Sequence, residues 1–349
     1  MKTLVQQILS EKLKSPIHHL EITKLFGHAS YRTYYRVKIS ERTFVLMQIP
    51  PGLSSVSEEI TNYKGPKNEL PFINVQRYLK SVQLPVPEVH AWVPEEGLMI
   101  LEDLGDRLLE TYLKDTTEVL RLSFYKRAID LLVQVQKKTQ RGEGNKFVDC
   151  IAFHRSFDET LLNWEFDHFL EYGIEDRFKI KLPEEEKKFF TEQTRKITQE
   201  ILKAPSLFVH RDFQSRNLIL KDYELYLLDF QDALQGPEAY DLVALLRDSY
   251  IELSGEAVEK LVDYFLEARK KIGFPVQDEK AFRRLFHLVT LQRKLKDTGR
   301  FQFIHTVKGN PDFLVSVPTS LRYIQSAFEQ LPEYQPLQKW IGKYVSELR

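Results

Sequence analysis

The chain of 349 residues carries a single cysteine, Cys150, which excludes an intramolecular disulfide framework and suits a reducing compartment. It has no charge bias either: 50 Lys and Arg stand against 50 Asp and Glu, for a formal net charge of zero. No global field therefore draws it to nucleic acid or to an anionic membrane. No stretch approaches the roughly 18 consecutive apolar residues of a membrane span. The opening segment MKTLVQQILSEKLK places Leu4, Val5, Ile8, Leu9 and Leu13 at helical spacing but interrupts them with Gln and Glu. It reads as a packed surface helix and lacks the unbroken apolar centre of a signal peptide. The histidines have no ligand spacing, which argues against zinc. The expectation is a soluble, cytoplasmic protein with no nucleic-acid, membrane or obligate protein partner.

Apolar material is ample, at 42% hydrophobic residues with 23 Phe and 16 Tyr, in a chain longer than one core usually supports. Two lobes are expected. Strand patterns fall at 20–25, 34–39, 43–49 and 98–101, and residues 50–71 read as a surface loop. One helix, 72–80, is closed by the breaker run Leu84-Pro85-Val86-Pro87. Residues 102–106 break the pattern as a hinge would. Beyond 108 helices dominate, at 120–138, at 156–172 with Ser156 as cap and Glu159 three residues on, and after Pro183 with Glu184, Glu185 and Glu186. Further helices are expected at 239–249, 256–272, 279–296 and 320–330. The predicted class is α+β, with a small β-rich lobe over 1–103 and a larger helical lobe over 104–349.

The most informative run is HRDFQSRNLILKDYELYLLDFQD, residues 210–232. Its apolar segments flank the polar turn Lys221-Asp222-Tyr223-Glu224, the pattern of a β-hairpin. With that turn at the tip, Asn217 and Asp229 meet at the open end, where two oxygens can hold Mg²⁺. Asp212, five residues before Asn217, then faces a hydroxyl. Phosphoryl transfer from Mg·ATP asks a protein for alignment and charge compensation, and these three side chains supply both. Each alone could be a cap or a turn residue; on one loop-hairpin frame they point to a kinase. His210 reads as structural, its ring bonding backbone to shape the loop.

The segments GHASYRTYYRV (27–37), FVLMQIPP (44–51), LEDLGDR (101–107), HRDFQSRN, LLDFQDALQGPEAYDLVALLRDSY (227–250) and LQRKLKDTGRF (291–301) extend the pattern over nearly the whole chain. Together they resemble the aminoglycoside phosphotransferase-like kinase superfamily. Within it, they are similar to bacterial cell-wall sugar kinases that phosphorylate the anomeric hydroxyl of N-acetylmuramate and N-acetylglucosamine. The resemblance implies a bilobal protein-kinase-like fold, ATP and Mg²⁺ as cofactors, a small amino sugar as partner and a place in peptidoglycan recycling. It also implies Asp212 as base, Asn217 and Asp229 on magnesium, and Asp241 anchoring the catalytic loop from below. By the residues alone, Asp241 could equally be an ordinary helix cap.

Kinases of this fold usually pair a Lys on the third strand with a Glu on the following helix. Here Met47 stands in the Lys position, and the Glu position falls near Ile73 with Glu69 a turn away, so the two partners are absent together and no unpaired buried charge remains. The hairpin 27–32 must then meet the phosphates, through its amides, the Ser30 hydroxyl and Arg32. Adenine is expected against the backbone of Glu102 and Leu104. Candidates for the sugar are Gln214, Asp232 and Arg247, beside Arg216 and Gln231. A lactyl carboxylate would need a cation, for which Arg247, Arg293 and Arg300 are available. Two other readings stand: a kinase of aminoglycosides or another small alcohol, which for cationic acceptors would call for an acidic wall, and a nucleotide-binding module without turnover, suggested by Met47 but opposed by the intact trio. Arg32→Ala is expected to raise the apparent KM for ATP markedly in steady-state assays; an unchanged value removes Arg32 from the phosphate site.

Overall fold

Alternation along residues 42–48 sends side chains into two separate cores, and the amino-terminal region is built around that division. The computed structural model describes residues 1–25, 32–50, 69–140 and 150–349. Ser30 and most of the expected 50–71 loop lie outside the described residues. Helix α1 (Lys2–Leu13) precedes strands β1 (Glu21–Lys24), β2 (Thr33–Ile39) and β3 (Arg42–Gln48), and α2 (Pro71–Ser81), β4 (Val89–Val93) and β5 (Leu98–Glu102) follow. The strands form one antiparallel sheet in the order β1-β2-β3-β5-β4. Phe44 and Leu46 cluster with Val5 and Leu9 of α1, whereas Met47, Met99 and Leu101 cluster with Phe72, Val75 and Leu79 of α2. Period-two side-chain direction makes this split automatic. Gly97 turns the chain into β5 at φ 60°, and a Cβ there would lie 2.3 Å from the Ile49 carbonyl oxygen. Only glycine fits.

The rest is mostly helical: α3 (Leu109–Lys114), α4 (Glu118–Lys138), α5 (Glu159–His168), α6 (Glu184–Ile201), then, after four short strands, α7 (Tyr240–Leu246), α8 (Gly255–Lys271), α9 (Glu279–Lys308), α10 (Val317–Glu329) and α11 (Gln335–Gly342). The strands β6 (Ser206–Val209), β7 (Leu218–Lys221), β8 (Glu224–Leu227) and β9 (Leu234–Pro237) make two antiparallel ribbons, β6 with β9 and β7 with β8. The expected hairpin is the second of these. Its turn residues Asp222 and Tyr223 both have positive φ, 47° and 65°, as a two-residue turn matching strand twist requires.

Several expectations are corrected. Ser156 does not cap the next helix: it bridges to Gln235, and the Asp158 carboxylate accepts from Leu161 N–H instead. That helix also ends at His168 and continues as a π-helical turn, Phe169–Asp176. Pro183 sits just outside α6 as its cap, with the three glutamates forming the first turn. Strand β4 was hidden by its half-buried mixed composition, and β9, Leu-Gln-Gly-Pro, reads locally as a turn.

Helix α9 runs 12 residues past the expected end at 296, through Thr298 and Gly299, where the sequence looks like a stop. The glycine is there for packing. A Cβ on Gly299 would lie 2.6 Å from the His168 carbonyl oxygen and 2.9 Å from Phe169 Cα, so α9 and the π-helical turn touch backbone to backbone. Gly299→Ala must push the two apart and is expected to destabilise the fold by about 1–3 kcal/mol. Urea unfolding monitored by tryptophan fluorescence checks this, and an unshifted midpoint would contradict the close approach.

Candidate active site

The chain leaves β6 into a buried loop whose conformation depends on one carboxylate. Asp241, in the first turn of α7, accepts His210 N–H through Oδ2 at 2.7 Å and Arg211 N–H through Oδ1 at 3.0 Å. Burial pushes the Asp241 carboxyl up to about 7, against the opposing pull of the two N–H groups. Arg211 adopts φ 79°, sparsely populated for a residue with a side chain, and such strain persists only where surrounding bonds over-determine it. The His210 ring is buried and pushed down to about 4 by burial, against a backbone hydrogen bond at Leu228, and is hence neutral. Its backbone N–H also shapes the loop.

Asp212 follows, with 38% of its side chain exposed. Arg293 of α9 donates Nη2–H to Asp212 Oδ1 at 3.0 Å and Nη1–H to the Arg211 carbonyl at 2.7 Å and to the Tyr240 hydroxyl at 3.1 Å. Burial raises the Asp212 carboxyl, but the charges of Arg293, Lys296 and Arg211 outweigh it and hold the group down at about 2. Asp212 is thus a permanently ionised, oriented acceptor. Beneath it lies a buried polar layer. Glu165 of α5 accepts from Arg211 at 3.1 Å and from Gln292 at 2.5 Å, and Asp297 pairs with Lys294 at 2.7 Å and Lys296 at 3.4 Å.

The metal candidates meet as the hairpin demands. Asn217 Nδ2–H donates to the Asp212 carbonyl at 2.9 Å, which leaves Oδ1 as the outward atom, and Leu228 N–H donates to the Asn217 carbonyl, carrying the β7–β8 ladder one step further to bring Asp229 alongside. Asp229 has φ 60° and a 47% exposed side chain. Burial raises its carboxyl; a Gln231 hydrogen bond at 2.9 Å opposes this, and the charges of Asp212 and Asp232 add to it. Gln231 also donates to Asp232, so these two carboxylates share one amide. A second anchor, missed in the sequence, is Asp248: it accepts from Ser215 N–H and Oγ–H, at 3.0 and 2.5 Å, and fixes the short 3-10 turn that carries Asn217.

Toward the sheet, Arg32 Nη1 lies 3.9 Å from Asp229 Oδ1, and Arg32 is hydrogen-bonded to the Tyr34 hydroxyl. Met47 is wholly buried, and Glu69 is engaged by Arg77 and Asn74, so no third-strand ion pair forms among these residues. At the end of β5, Glu102 accepts from Lys221 of the hairpin at 2.6 Å and from Glu88 N–H, and Leu104 is buried two residues on. Arg36 clasps Asp103 and Asp106 with four hydrogen bonds.

Among the sugar candidates, Gln214 and Asp232 stay with the trio, half-buried at the loop and hairpin end. Arg247 is placed against other partners. It is 4% exposed and lies over the rings of Phe286 and Tyr323 with Ser326 at 3.5 Å, just past the end of α7, while the next residue, Asp248, bonds Ser215. Arg216 is occupied by Glu110, at 2.9 and 3.1 Å. The Asp212–Arg293 bond was also missed. Its signal was the run Arg293-Lys294-Leu295-Lys296-Asp297, which reads as a solvated face but is buried or nearly so.

The sequence model of the phosphotransferase enzyme family (APH) matches residues 21–275. N-acetylmuramate/N-acetylglucosamine kinase of Pseudomonas putida is 29% identical over 329 residues, covering 94% of this chain and 88% of its own length. The protein of that name from Neisseria meningitidis is 29% identical over 335 residues, covering 95% and 93%. Among solved structures, choline kinase from Cryptosporidium parvum Iowa II superposes with a TM-score of 0.63 at 12% identity, over 95% of this chain and 97% of that one, a likeness of fold. The family match takes in both the sheet and the loop of residues 210–217, so the chain belongs to the phosphotransferase enzyme family and is a kinase with a hydroxyl acceptor.

Proposed function

We propose that the chain is an ATP-dependent sugar kinase that phosphorylates the anomeric (C1) hydroxyl of N-acetylmuramate, N-acetylglucosamine or both, in peptidoglycan recycling. The observation that carries the reading is the convergence of Asp212, Asn217 and Asp229, tied by the Asn217–Asp212 bond of 2.9 Å and the hairpin ladder. The names of the curated relatives support the acceptor class.

Asp212 accepts or orients the proton of the acceptor hydroxyl. Held down at about 2 it is a weak base, but an anomeric hydroxyl is more acidic than an ordinary alcohol, and orientation is most of what this chemistry asks. Asn217 Oδ1 and the Asp229 carboxylate fit Mg²⁺: both are hard oxygen donors, one fixed in direction and the other crowded by two like charges that a cation would relieve. Bound there with ATP, the ion would offset charge on the phosphates being transferred. Arg32, resting on Asp229, and Ser30 serve the phosphates in place of the absent lysine. The backbone of Glu102 and Leu104 borders adenine, with the lobes dividing between 103 and 104. Gln214 and Asp232 bind sugar hydroxyls.

The layer under Asp212 bears Arg293, Lys294 and Lys296 against Asp297 and Glu165. It is no acidic wall for a cationic aminoglycoside. A neutral or anionic acceptor suits it better.

Incubation with Mg·ATP and a panel of amino sugars and aminoglycosides is expected to yield sugar 1-phosphate; turnover of aminoglycosides alone, or tight ATP binding with no turnover, overturns the reading. Asp212→Asn is expected to lower kcat by about 10²–10⁴ with little change in the KM for ATP. Asp229→Asn is expected to raise the Mg²⁺ concentration needed for half-maximal rate, measured by metal titration at saturating sugar.

A further inference from the structure

We propose that Arg293 is a positioning residue for the transfer: it occupies one oxygen of Asp212 and leaves the other to receive the acceptor proton, an inference that rests on Asp212 as base. The Arg293 side chain is 2% exposed, so it acts through its partners and not on a substrate. Its hydrogen bonds go to the reacting side chain and the peptide that carries it. Nη2 holds Asp212 Oδ1 at 3.0 Å, and Nη1 holds the Arg211 carbonyl at 2.7 Å and the Tyr240 hydroxyl at 3.1 Å. Asp212 Oδ2 accepts no hydrogen bond among the described residues, in a side chain 38% exposed. A rigid fork that grips both a carboxylate and its own backbone leaves that side chain little freedom to turn.

The guanidinium is itself set in place. It lies 5.2 Å from the centroid of the Tyr240 ring, and Nε is 3.9 Å from Asp297 Oδ2, one turn further along α9. Lys294 and Lys296 pin Asp297 in turn. The preceding residue, Gln292, reaches the same loop by another route, through Glu165 to the Arg211 side chain. Gly299 seats the helix on the backbone of His168, three residues past Glu165. The remainder of the loop has separate supports: Asp241 holds the N–H groups of His210 and Arg211, and Asp248 holds Ser215. Loss of Arg293 therefore loosens Asp212 while Asn217 and Asp229 keep theirs. In the transfer the acceptor oxygen bonds to the γ-phosphorus, its proton passes to Asp212 Oδ2, and the bond from phosphorus to ADP breaks with its electron pair on ADP. A misplacement of about 1 Å costs such a step about 10²-fold.

The experiment is a double-mutant cycle on the full chain with Mg·ATP and a sugar that the wild type turns over. Arg293→Gln is expected to lower kcat about 10–100-fold, and Arg293→Lys by less, with the KM for ATP and the Mg²⁺ requirement unchanged. In an Asp212→Ala background Arg293→Gln is expected to lower kcat no further, since no carboxylate remains to orient. A structure with the acceptor bound is expected to show its reacting hydroxyl on Oδ2. Wild-type kcat in Arg293→Gln, equal losses in both backgrounds, a matching rise in the KM for ATP, or the hydroxyl on Oδ1 overturns the inference and leaves the base assignment standing. Should Arg293→Gln not fold, Arg293→Lys decides by the same criteria. Wild-type kcat in Asp212→Ala overturns the base assignment, and this inference with it.

Discussion

Two backbone N–H groups on one buried carboxylate hold the loop of residues 210–217 in place. Asp241 takes those of His210 and Arg211, at 2.7 and 3.0 Å, and an unpaired buried donor would cost about 1–3 kcal/mol each. The strained φ of Arg211 persists because this clamp, on its N–H, and Arg293, on its carbonyl, grip the residue from both sides. Each later element inherits its position. The Asp212 carbonyl fixes the Asn217 amide, the Asn217 carbonyl receives Leu228 N–H, and Asp229 follows in the chain. Rigid backbone therefore presents the polar atoms, as a reaction governed by positioning requires.

Around that frame the molecule buries an unusual number of charges. Arg211, Glu165, Arg293, Lys294 and Lys296 are all under a tenth exposed, with Asp297 close behind. Removing charges from water is expensive, and mutual attraction offsets it only when partners are close and hydrogen-bonded, as these are. Such an arrangement adds little net stability but admits one geometry. It also puts positive charge below Asp212, while the third strand offers only Met47, sealed into the core with Met99. On the proposed reading, charge compensation is divided between Arg32 at the phosphates and the cations of α9 at the acceptor side.

The segment after β5 is tied down on both sides. Lys221 from the β7–β8 ribbon reaches Glu102 at the end of β5, and Arg36 of β2 holds Asp103 and Asp106. The hairpin that brings the metal candidates together is thus also tied to the strand that would border adenine. A pair partly open to water contributes little by itself. Its value is registry between sheet and hairpin.

Local pattern made much of this legible. Alternation in β2 and β3, the apolar run of β5, the polar tip of the hairpin, and the spacing of Asp212, Asn217 and Asp229 depend on neighbours in the chain, so they can be read without the fold. Short or atypical elements could not: β4 is half-buried throughout, β9 contains Gly236 and Pro237, and Gly299 looks like a helix stop until the backbone of His168 is seen against it. The sequence by itself determined the class of chemistry and the ribbon that carries Asn217 and Asp229. Only the tertiary structure decided which cation stands behind Asp212 and that Arg247 lies over Phe286 and Tyr323. Arg293 lies 81 residues from Asp212, and whether a charged side chain meets water, an acid or an aromatic ring is settled by which helix faces pack together.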